Sequence, residues 1–386
     1  MKYHTSVSAA LCALSLAGCS MSNAAPSNQP TPVSSSRLSA TSSLPSQTSS
    51  SPKANTLKST PPLILKTVAA SKRWQTGRMQ YGFQVYWHSD SPFSPDDKTN
   101  KILNYVVGMG ANSVGFTFPV YTDGYRPTKV YAGSETPTPT ELTQLIKLAK
   151  ARNLRVMVRP IIDEANIMTV PGEWRGSLEP RNTATWFASY RALLGPYLKA
   201  AQSAKADEFV MATELFSLEA QSAEWKKGIR AAKTSFQGTL SYGVNWDTVG
   251  LTPLPFVHRG LDLYPAVELG DGASVGQLTD ALARTIQRAP KSVRANMGIH
   301  EVGIPAVSGM YLHPWLWGSG NHKLNLSVQT KWFAAACNAA KRTNVQGIYY
   351  WMIDSNVDPM TVDPASLPAS SFIGRPAEQS IRACYR

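Results

Sequence analysis

A (β/α)8 barrel, the TIM-barrel form of the α/β class, is the fold that this sequence predicts. Short β-rich runs alternate with amphipathic helical stretches from Trp74 to the C-terminus, as expected for repeated βα units around a parallel sheet. Eight such strands can be counted, which matches a closed barrel better than an open sheet. Gly82 stands alone after the start of the first strand, so the glycine-rich fingerprint of a dinucleotide-binding fold is missing there.

The elements follow one another in a regular order along the chain. We predict strands at residues 81–87, 112–118, 155–161, 208–213, 239–244, 260–263, 296–300 and 346–351. Helices are predicted at residues 97–108, 139–151, 183–204, 222–234, 275–287 and 329–342. Thr138 is placed to cap the second helix and Pro139 to begin it. The prediction is therefore a single barrel domain over residues 74–386.

The first 19 residues read as an export signal. An apolar run from Val7 to Leu16 follows Lys2, and it is too short to span a membrane, which takes roughly 20 residues. The segment Leu16-Ala17-Gly18-Cys19 resembles a bacterial lipobox, in which the cysteine is acylated and becomes the mature N-terminus. An ordinary signal peptide with an accidental cysteine is the alternative. We expect a protein that is exported and lipid-anchored to the cell envelope through Cys19.

Residues 20–73 are predicted to be a disordered Ser/Thr/Pro-rich linker. This stretch contains no Asp or Glu, and such a composition cannot bury enough apolar surface to offset its ordering entropy. Of the formal net charge of +13, +7 lies before Trp74, where a basic tether suits an anionic envelope surface. No zinc-finger spacing or RNP-like motif supports nucleic-acid binding. We expect a monomer whose membrane contact is the lipid anchor.

Two cysteines, Cys337 and Cys384, remain outside the predicted signal. In an oxidising compartment they would pair and pin the C-terminal tail to the last long helix, whereas two free buried thiols are the alternative. Their spacing does not suggest a metal site. His88 and His300 lack the H-x-H or H-E-x-x-H spacing of metal ligands, so we expect neither a metal nor a cofactor.

Two glutamates lie where a TIM barrel places its chemistry, at the C-terminal ends of strands. Glu214 follows the fourth predicted strand and Glu301 follows the seventh, and apolar residues flank both. Strands four and seven face each other across the barrel mouth. A pair of carboxyl groups in that position suits glycoside hydrolysis, in which one acts as acid and the other as nucleophile or base. The alternative is that each glutamate belongs to a buried ion pair, with Arg159 or Arg175 as partner.

Short motifs around these glutamates resemble those of glycoside hydrolase family 113. They run in family order: Gly110-Ala111-Asn112-Ser113-Val114, Val156-Met157-Val158-Arg159-Pro160-Ile161-Ile162-Asp163, Trp174-Arg175-Gly176, Thr213-Glu214-Leu215, Asn245-Trp246, Asp262-Leu263-Tyr264 and Glu301-Val302-Gly303. The resemblance implies a retaining enzyme with Glu214 as acid/base, Glu301 as nucleophile and β-mannan as substrate. Two positions depart from the pattern. Ile161 replaces an expected histidine, and Thr213 stands where the wider clan usually has an asparagine.

Aromatic and polar residues near the predicted strand ends are candidates for binding sugar. Sugar rings present apolar C–H faces that stack on Trp and Tyr, although each such side chain would equally suit the core. Asp163 and Arg175 would bind sugar hydroxyls or form an ion pair at the barrel rim, and Asp262 would contact a cation or hydroxyl near the nucleophile. The full set of substrate-binding candidates is Trp87, Arg159, Asp163, Trp174, Arg175, Asn245, Trp246, Asp262, Tyr264 and Trp351.

The function that this sequence predicts is hydrolysis of a β-linked polysaccharide or oligosaccharide outside the cytoplasm. The alternative from another class is a non-catalytic carbohydrate-binding or envelope-associated lipoprotein on a barrel scaffold, because a fold does not fix a function. Within the enzyme class, a glucan, a galactan or an exopolysaccharide of the organism itself would be an alternative substrate.

Overall fold

The computed structural model describes residues 74–89, 95–251, 253–316 and 323–386. The predicted signal peptide (1–19) with Cys19 and the predicted linker (20–73) lie outside the described residues. Among the helices that are described, none is both long enough and apolar enough to cross a membrane.

Eight parallel strands form a closed barrel, which confirms the predicted fold class. In chain order the strands are β1 (Gln80–Tyr86), β2 (Ser113–Thr122), β3 (Val130–Tyr131), β4 (Arg155–Ile162), β5 (Glu208–Thr213), β6 (Thr239–Asn245), β7 (His258–Asp262), β8 (Met297–Val302) and β9 (Gly347–Asp354). The sheet closes because β1 pairs in parallel with both β2 and β9. The two-residue β3 lies outside the barrel and pairs antiparallel with the end of β2.

Helices follow most barrel strands and form the outer layer. In chain order they are α1 (Pro95–Gly108), α2 (Pro139–Ala151), α3 (Thr183–Ser203), α4 (Phe216–Glu219), α5 (Ser222–Lys233), α6 (Val275–Gln287), α7 (Lys291–Arg294), α8 (Leu326–Thr343) and α9 (Ala377–Cys384). The predicted cap is present, since Thr138 Oγ1 accepts a 3.1 Å hydrogen bond from the backbone N–H of Glu141. It satisfies one of the N–H groups that the first turn of α2 leaves free.

Elements that sequence periodicity did not predict are short or lie beyond the barrel. They are β3, α4, α7 and α9. The second barrel strand also continues past the predicted end to Thr122, where Tyr121 and Thr122 pair with β3. A two-residue strand and helices of four to eight residues carry too few positions to show a period, so their existence depends on tertiary packing.

The barrel interior beneath the strand ends is filled by a buried polar network. Arg155 donates a 2.6 Å hydrogen bond to Glu208, and Nε2 of His300 lies 3.3 Å from the other oxygen of that carboxylate. Ser241 also donates to Glu208. Gly260 leaves the space that the imidazole needs, because a Cβ there would lie 1.9 Å from His300 Nδ1. This hydrogen-bonded network makes the barrel interior rigid beneath the residues at the strand ends.

The C-terminal helix is joined to the long helix before β9. Cys384 at the end of α9 forms a disulfide with Cys337 in α8, and their Cα atoms are 5.8 Å apart. One residue further on, the hydroxyl of Tyr385 donates a 2.6 Å hydrogen bond to the carbonyl of Gly82 in β1. The tail of the chain is therefore tied both to α8 and to the barrel wall.

Candidate active site

A cleft of about 1140 Å³ opens at the C-terminal ends of the barrel strands. Both Glu214 and Glu301 line it, together with six aromatic side chains, namely Tyr86, Trp174, Trp246, Tyr264, Trp315 and Trp351. Volumes of this order are typical of pockets for small ligands or for a few sugar units.

An irregularity in each glutamate-bearing strand places its carboxyl in this cleft. Along β7 and β8 the register passes from Leu261 opposite Ile299 to Asp262 opposite Glu301, so β8 has one extra residue, His300. A similar shift occurs along β5 before Glu214, between Val210 and Thr213. Bulges re-aim side chains by breaking the strict alternation of a strand. His300 and Glu301 consequently contact the barrel interior in succession.

Glu214 also has an unusual backbone. Its φ of 54° lies in the left-handed region, which costs a residue with a Cβ roughly 1 kcal/mol. Its N–H donates a 2.8 Å hydrogen bond to the carbonyl of Gly243 in the neighbouring β6. The conformation is thus held by the adjacent strand, and Glu214 turns from the end of β5 into the cleft.

The carboxylate of Glu301 accepts hydrogen bonds from two side chains. Arg159, which is fully buried, donates through Nη1 to Oε1 of Glu301, and Tyr264 donates a 2.9 Å hydrogen bond to Oε2. The second terminal nitrogen of Arg159 donates to Asp262 at 2.8 Å. Burial raises the pKa of the Tyr264 hydroxyl well above its usual range, and the charge of Glu301 adds to the effect. Tyr264 therefore stays a donor, and Glu301 is fixed in one orientation.

Glu214 has different surroundings. Arg175 donates a 2.8 Å hydrogen bond through Nη1 to Oε2 of Glu214. The pKa of the Glu214 carboxyl is raised to about 7, mainly because the group is buried; the charge of Arg175 opposes this shift and the charge of Glu301 adds to it. A carboxyl group that keeps its proton near neutral pH is suited to act as a general acid.

Trp246, Trp315 and Trp351 are three of the four tryptophans that line the cleft. The rings of Trp246 and Trp315 are stacked, with centroids 6.0 Å apart and planes 18° from parallel. Trp351 lies over the buried guanidinium of Arg159, whose Cζ is 5.7 Å from the ring centroid. Such faces can stack on the C–H faces of sugar rings.

The structure brings most of the predicted site residues together. The candidates that line the cleft are Glu214, Glu301, Trp174, Arg175, Asn245, Trp246, Tyr264 and Trp351. Arg159 and Asp262 are fully buried and do not line it; Arg159 donates to Glu301, and Asp262 accepts from Arg159. Asp163 is also outside the lining and accepts a 2.9 Å hydrogen bond from the backbone of Ala165.

Trp87 is the predicted site residue that the structure places furthest from this role. It is 1% exposed, its indole donates a 2.7 Å hydrogen bond to Glu141 of α2, and Lys98 of α1 lies 4.2 Å from its ring centroid. The reason is the alternation of β1. Phe83, Val85 and Trp87 pack in the hydrophobic core, whereas Gln84 contacts the barrel interior.

Several cleft residues lie outside the predicted substrate-binding set. Tyr86, His88, Glu164, Trp315 and Asp354 all line the cavity. Counting alternate positions onward from Gln84 would have selected Tyr86 and His88. Asp354 lies beyond the predicted end of the last strand, and Trp315 comes from a long connection that carries no periodic signal.

The two departures from the family motifs have distinct environments. Ile161 lines the cleft, so an apolar side chain occupies the position where a histidine was expected. Thr213 is 2% exposed, and its hydroxyl finds no hydrogen-bond partner within the described ranges. Neither side chain offers the cleft a donor. Across residues 74–89, 95–251, 253–316 and 323–386, no group of three His, Cys, Asp or Glu side chains could hold a metal ion.

A (β/α)8 barrel with two glutamates and several tryptophans in a cleft at its strand ends is characteristic of the glycoside hydrolases. Comparison with known families agrees with this class. The model of Glycoside Hydrolase Family 113 matches residues 85–363, and the chain belongs to this family. It is therefore a glycoside hydrolase.

Solved structures support the fold. A structure described as a GH113 β-1,4-mannanase has a TM-score of 0.66 and 21% identity, covering 80% of this chain and 99% of its own. The GH113 β-mannanase AaManA from Alicyclobacillus acidocaldarius has a TM-score of 0.64 and 17% identity, covering 80% of this chain and 97% of its own. The exo-β-1,4-mannosidase Op5Man5 from Opitutaceae bacterium strain TAV5 has a TM-score of 0.53 and 13% identity, covering 83% of this chain and 62% of its own. None of the curated protein sequences compared matches this chain.

Proposed function

We propose that this chain is a retaining glycoside hydrolase that cleaves β-mannan, with Glu214 as the acid/base and Glu301 as the nucleophile. The observation that carries the proposal is the contrast between two carboxyl groups in one cleft. Glu214 has a pKa raised to about 7 by burial, whereas Glu301 accepts hydrogen bonds on both oxygens. A carboxyl group that keeps its proton is suited to act as the acid, and one whose two oxygens are held by donors is suited to act as the nucleophile.

The reaction would proceed in two steps. In the first, an oxygen of Glu301 attacks the anomeric carbon while Glu214 gives its proton to the glycosidic oxygen, so the bond to the leaving sugar breaks and a glycosyl ester forms. In the second, Glu214, now ionised, takes a proton from water, and the hydroxide attacks the same carbon and releases Glu301. A pKa near 7 suits a group that must be acid in one step and base in the next.

The substrate proposal draws on the family and on the cleft walls. Solved structures similar to this chain include enzymes described as a β-1,4-mannanase and a β-mannanase. The paired rings of Trp246 and Trp315 would hold a sugar unit beside the reacting bond, and Trp351 would lie under the ring that is attacked. A chain of β-linked hexoses fits such a row of apolar faces.

The location of the enzyme is also part of the proposal. We infer that residues 1–19 direct export and that Cys19 carries the lipid anchor, with residues 20–73 as the tether. The lipobox-like Leu16-Ala17-Gly18-Cys19 is the support. Metabolic labelling with an alkyne-tagged fatty acid should label the wild type and not Cys19→Ser. Equal labelling of the two forms would contradict the anchor.

The activity can be tested with the Cys19→Ser form of the full chain on β-mannan, β-glucan and β-galactan. We expect reducing sugar from β-mannan, none after Glu301→Ala, and an α-glycosyl azide when azide is added to Glu301→Gly. Glu179→Gln is the matched control, because Glu179 is a surface carboxylate paired with Arg126. Hydrolysis that survives Glu301→Ala would refute the nucleophile. Mannan binding without hydrolysis by the wild type would favour a binding protein instead.

A further inference from the structure

Arg175 makes four polar contacts, and they all serve to hold one of its nitrogens against Glu214. Nη1 donates to Oε2 of Glu214 at 2.8 Å, and Nε donates to the carbonyl of Ile162 at 2.9 Å. Its backbone N–H donates to Oε1 of Glu164 at 3.1 Å, and its Nη2 lies 3.5 Å from Oε2 of the same carboxylate. Besides its bond to Glu214, the guanidinium is thus held by Ile162 and Glu164, and the backbone of Arg175 is held by Glu164 as well.

The loop that carries Arg175 is itself tightly built. The indole of Trp174 covers Gly176 so closely that a Cβ at this position would lie 2.2 Å from the ring. Ser177 accepts a 3.0 Å hydrogen bond from the backbone N–H of Trp174 and donates one of 2.9 Å to its carbonyl. The Trp174-Arg175-Gly176 segment therefore forms a compact turn that aims Arg175 inward, and only a glycine fits its third position.

We propose that Arg175 is a positioning residue for the acid/base, which clamps Oε2 of Glu214 and so leaves Oε1 to carry the proton to the leaving oxygen. The inference rests on the proposed role of Glu214. A guanidinium fork that is already ordered loses little entropy when it fixes a carboxyl, and misplacement of a proton donor by about 1 Å can cost roughly a hundredfold in rate.

Arg175 is also the nearest of several charges that act on Glu214. The other groups that face this carboxyl are Glu301 on β8, Arg159 on β4, Asp262 on β7 and Tyr264 after β7. Glu164 faces Arg175 from the far side. Loss of the positive charge at Arg175 would leave burial and Glu301 less opposed, so the protonated form of Glu214 would persist to higher pH.

A direct titration can test the clamp without any substrate. With ¹³C-labelled glutamate side chains in the full chain, the resonance that disappears in Glu214→Gln reports this carboxyl. We expect Arg175→Met to raise its titration midpoint by about one pH unit, and Arg175→Lys to give a smaller shift because the charge remains. An unchanged or lowered midpoint in Arg175→Met would overturn the proposal.

Kinetics distinguish positioning from a merely structural role. Aryl β-mannobiosides with a dinitrophenyl leaving group need no proton from the acid, whereas those with a phenyl group do. Arg175→Met should lower kcat/KM for the phenyl substrate by roughly 100-fold and for the dinitrophenyl substrate by less than about 5-fold. Arg175→Lys should recover part of the loss. Equal losses on both substrates would mean that Arg175 supports binding or folding only.

The control is Arg126→Met, which removes another arginine of an arginine–glutamate pair on a nearby loop. Arg126 is exposed and pairs with Glu179 at 3.0 Å outside the cleft lining. Arg126→Met should leave unchanged both the titration midpoint of Glu214 and kcat/KM for the two aryl substrates. A wild type that cleaves neither aryl substrate would refute the proposed function, while the titration would still decide the role of Arg175.

Discussion

The hydroxyl of Tyr264 donates a 2.9 Å hydrogen bond to Oε2 of Glu301. Arg159 donates to the other oxygen, so this carboxylate is held from two directions by side chains of β4 and the segment after β7. Neither donor needs to move for the reaction. The proposed nucleophile is therefore oriented before substrate arrives, which is the condition under which hydrogen bonds contribute most to rate.

Tyr264→Phe should lower kcat/KM by about 10- to 100-fold, because one oxygen of Glu301 loses its donor while the ring remains. Because burial and the charge of Glu301 keep the pKa of Tyr264 well above its usual range, the ratio of mutant to wild-type rates should not change between pH 5 and 8. Tyr190→Phe is the control. It removes a buried hydroxyl that donates a 2.8 Å hydrogen bond to the carbonyl of Met211, away from the cleft. Similar kinetic losses in both variants would contradict the role of Tyr264.

Arg159→Met should destabilise the fold by about 3–5 kcal/mol, since it leaves two buried carboxylates without their cation. Arg159 bridges Glu301 and Asp262, and both its own side chain and that of Asp262 are completely buried. Urea unfolding at pH 7 measures the loss. Adding Asp262→Asn to Arg159→Met should recover part of it, because one uncompensated charge is removed. A loss below about 1 kcal/mol would show that the pair adds nothing to stability.

The raised pKa of Glu214 predicts a pH dependence of stability with a definite sign. The folded form holds a proton up to about pH 7, whereas the unfolded chain releases it near pH 4.5. Stability from this group is thus fully present below pH 4.5 and falls by about 3 kcal/mol as the pH rises to 7. Glu214→Gln does not titrate, so its free energy of unfolding should rise relative to wild type between pH 5 and pH 8. Urea melts at the two pH values test this, and a relative fall would contradict the assignment.

The barrel itself was accessible from sequence because its strands and long helices each show a clear period. The helix Pro139–Ala151 and the strand Glu208–Thr213 were predicted to the residue. Glu214 and Glu301 were identified because a polar residue that follows an apolar strand is conspicuous. Periodicity works for such segments since one face of each is buried.

The directions in which individual side chains point could not be predicted from the sequence. The extra residue His300 in β8 breaks the alternation that would otherwise put Glu301 on the opposite side of the strand. Arg159 and Arg175 lie on the same βα unit, yet Arg159 pairs with Glu301 and Arg175 pairs with Glu214. Only the closed barrel reveals these pairings. Trp87 was predicted to bind substrate, but the regular alternation of β1 places its side chain in the hydrophobic core, away from the cleft.

Replacing both Cys337 and Cys384 with alanine should lower the free energy of unfolding by about 4 kcal/mol. The disulfide closes a loop between residues 47 apart, and a crosslink of this length restricts the unfolded chain to that extent. Neither α8 nor α9 lines the cleft, so kcat/KM at 25 °C should stay within about twofold of wild type. Thermal melts with and without reductant provide the measurement. A large loss of activity at a temperature where the variant is folded would contradict the separation of tail and cleft.

The stacked rings of Trp246 and Trp315 should distinguish long substrates from short ones. Trp315 is 39% exposed, so Trp315→Ala removes a face of the cleft at little cost to the core. If the pair holds a sugar unit beside the reacting bond, KM for β-mannan should rise by about 5- to 30-fold, with kcat nearly unchanged, because stacking on an aromatic face acts equally on bound substrate and transition state. A short aryl glycoside that does not reach these rings should show no change. Trp174→Ala offers the contrast, since Trp174 packs on Gly176 beside Arg175 and its loss should lower kcat as well. Equal effects of Trp315→Ala on long and short substrates would place the pair next to the reacting sugar instead.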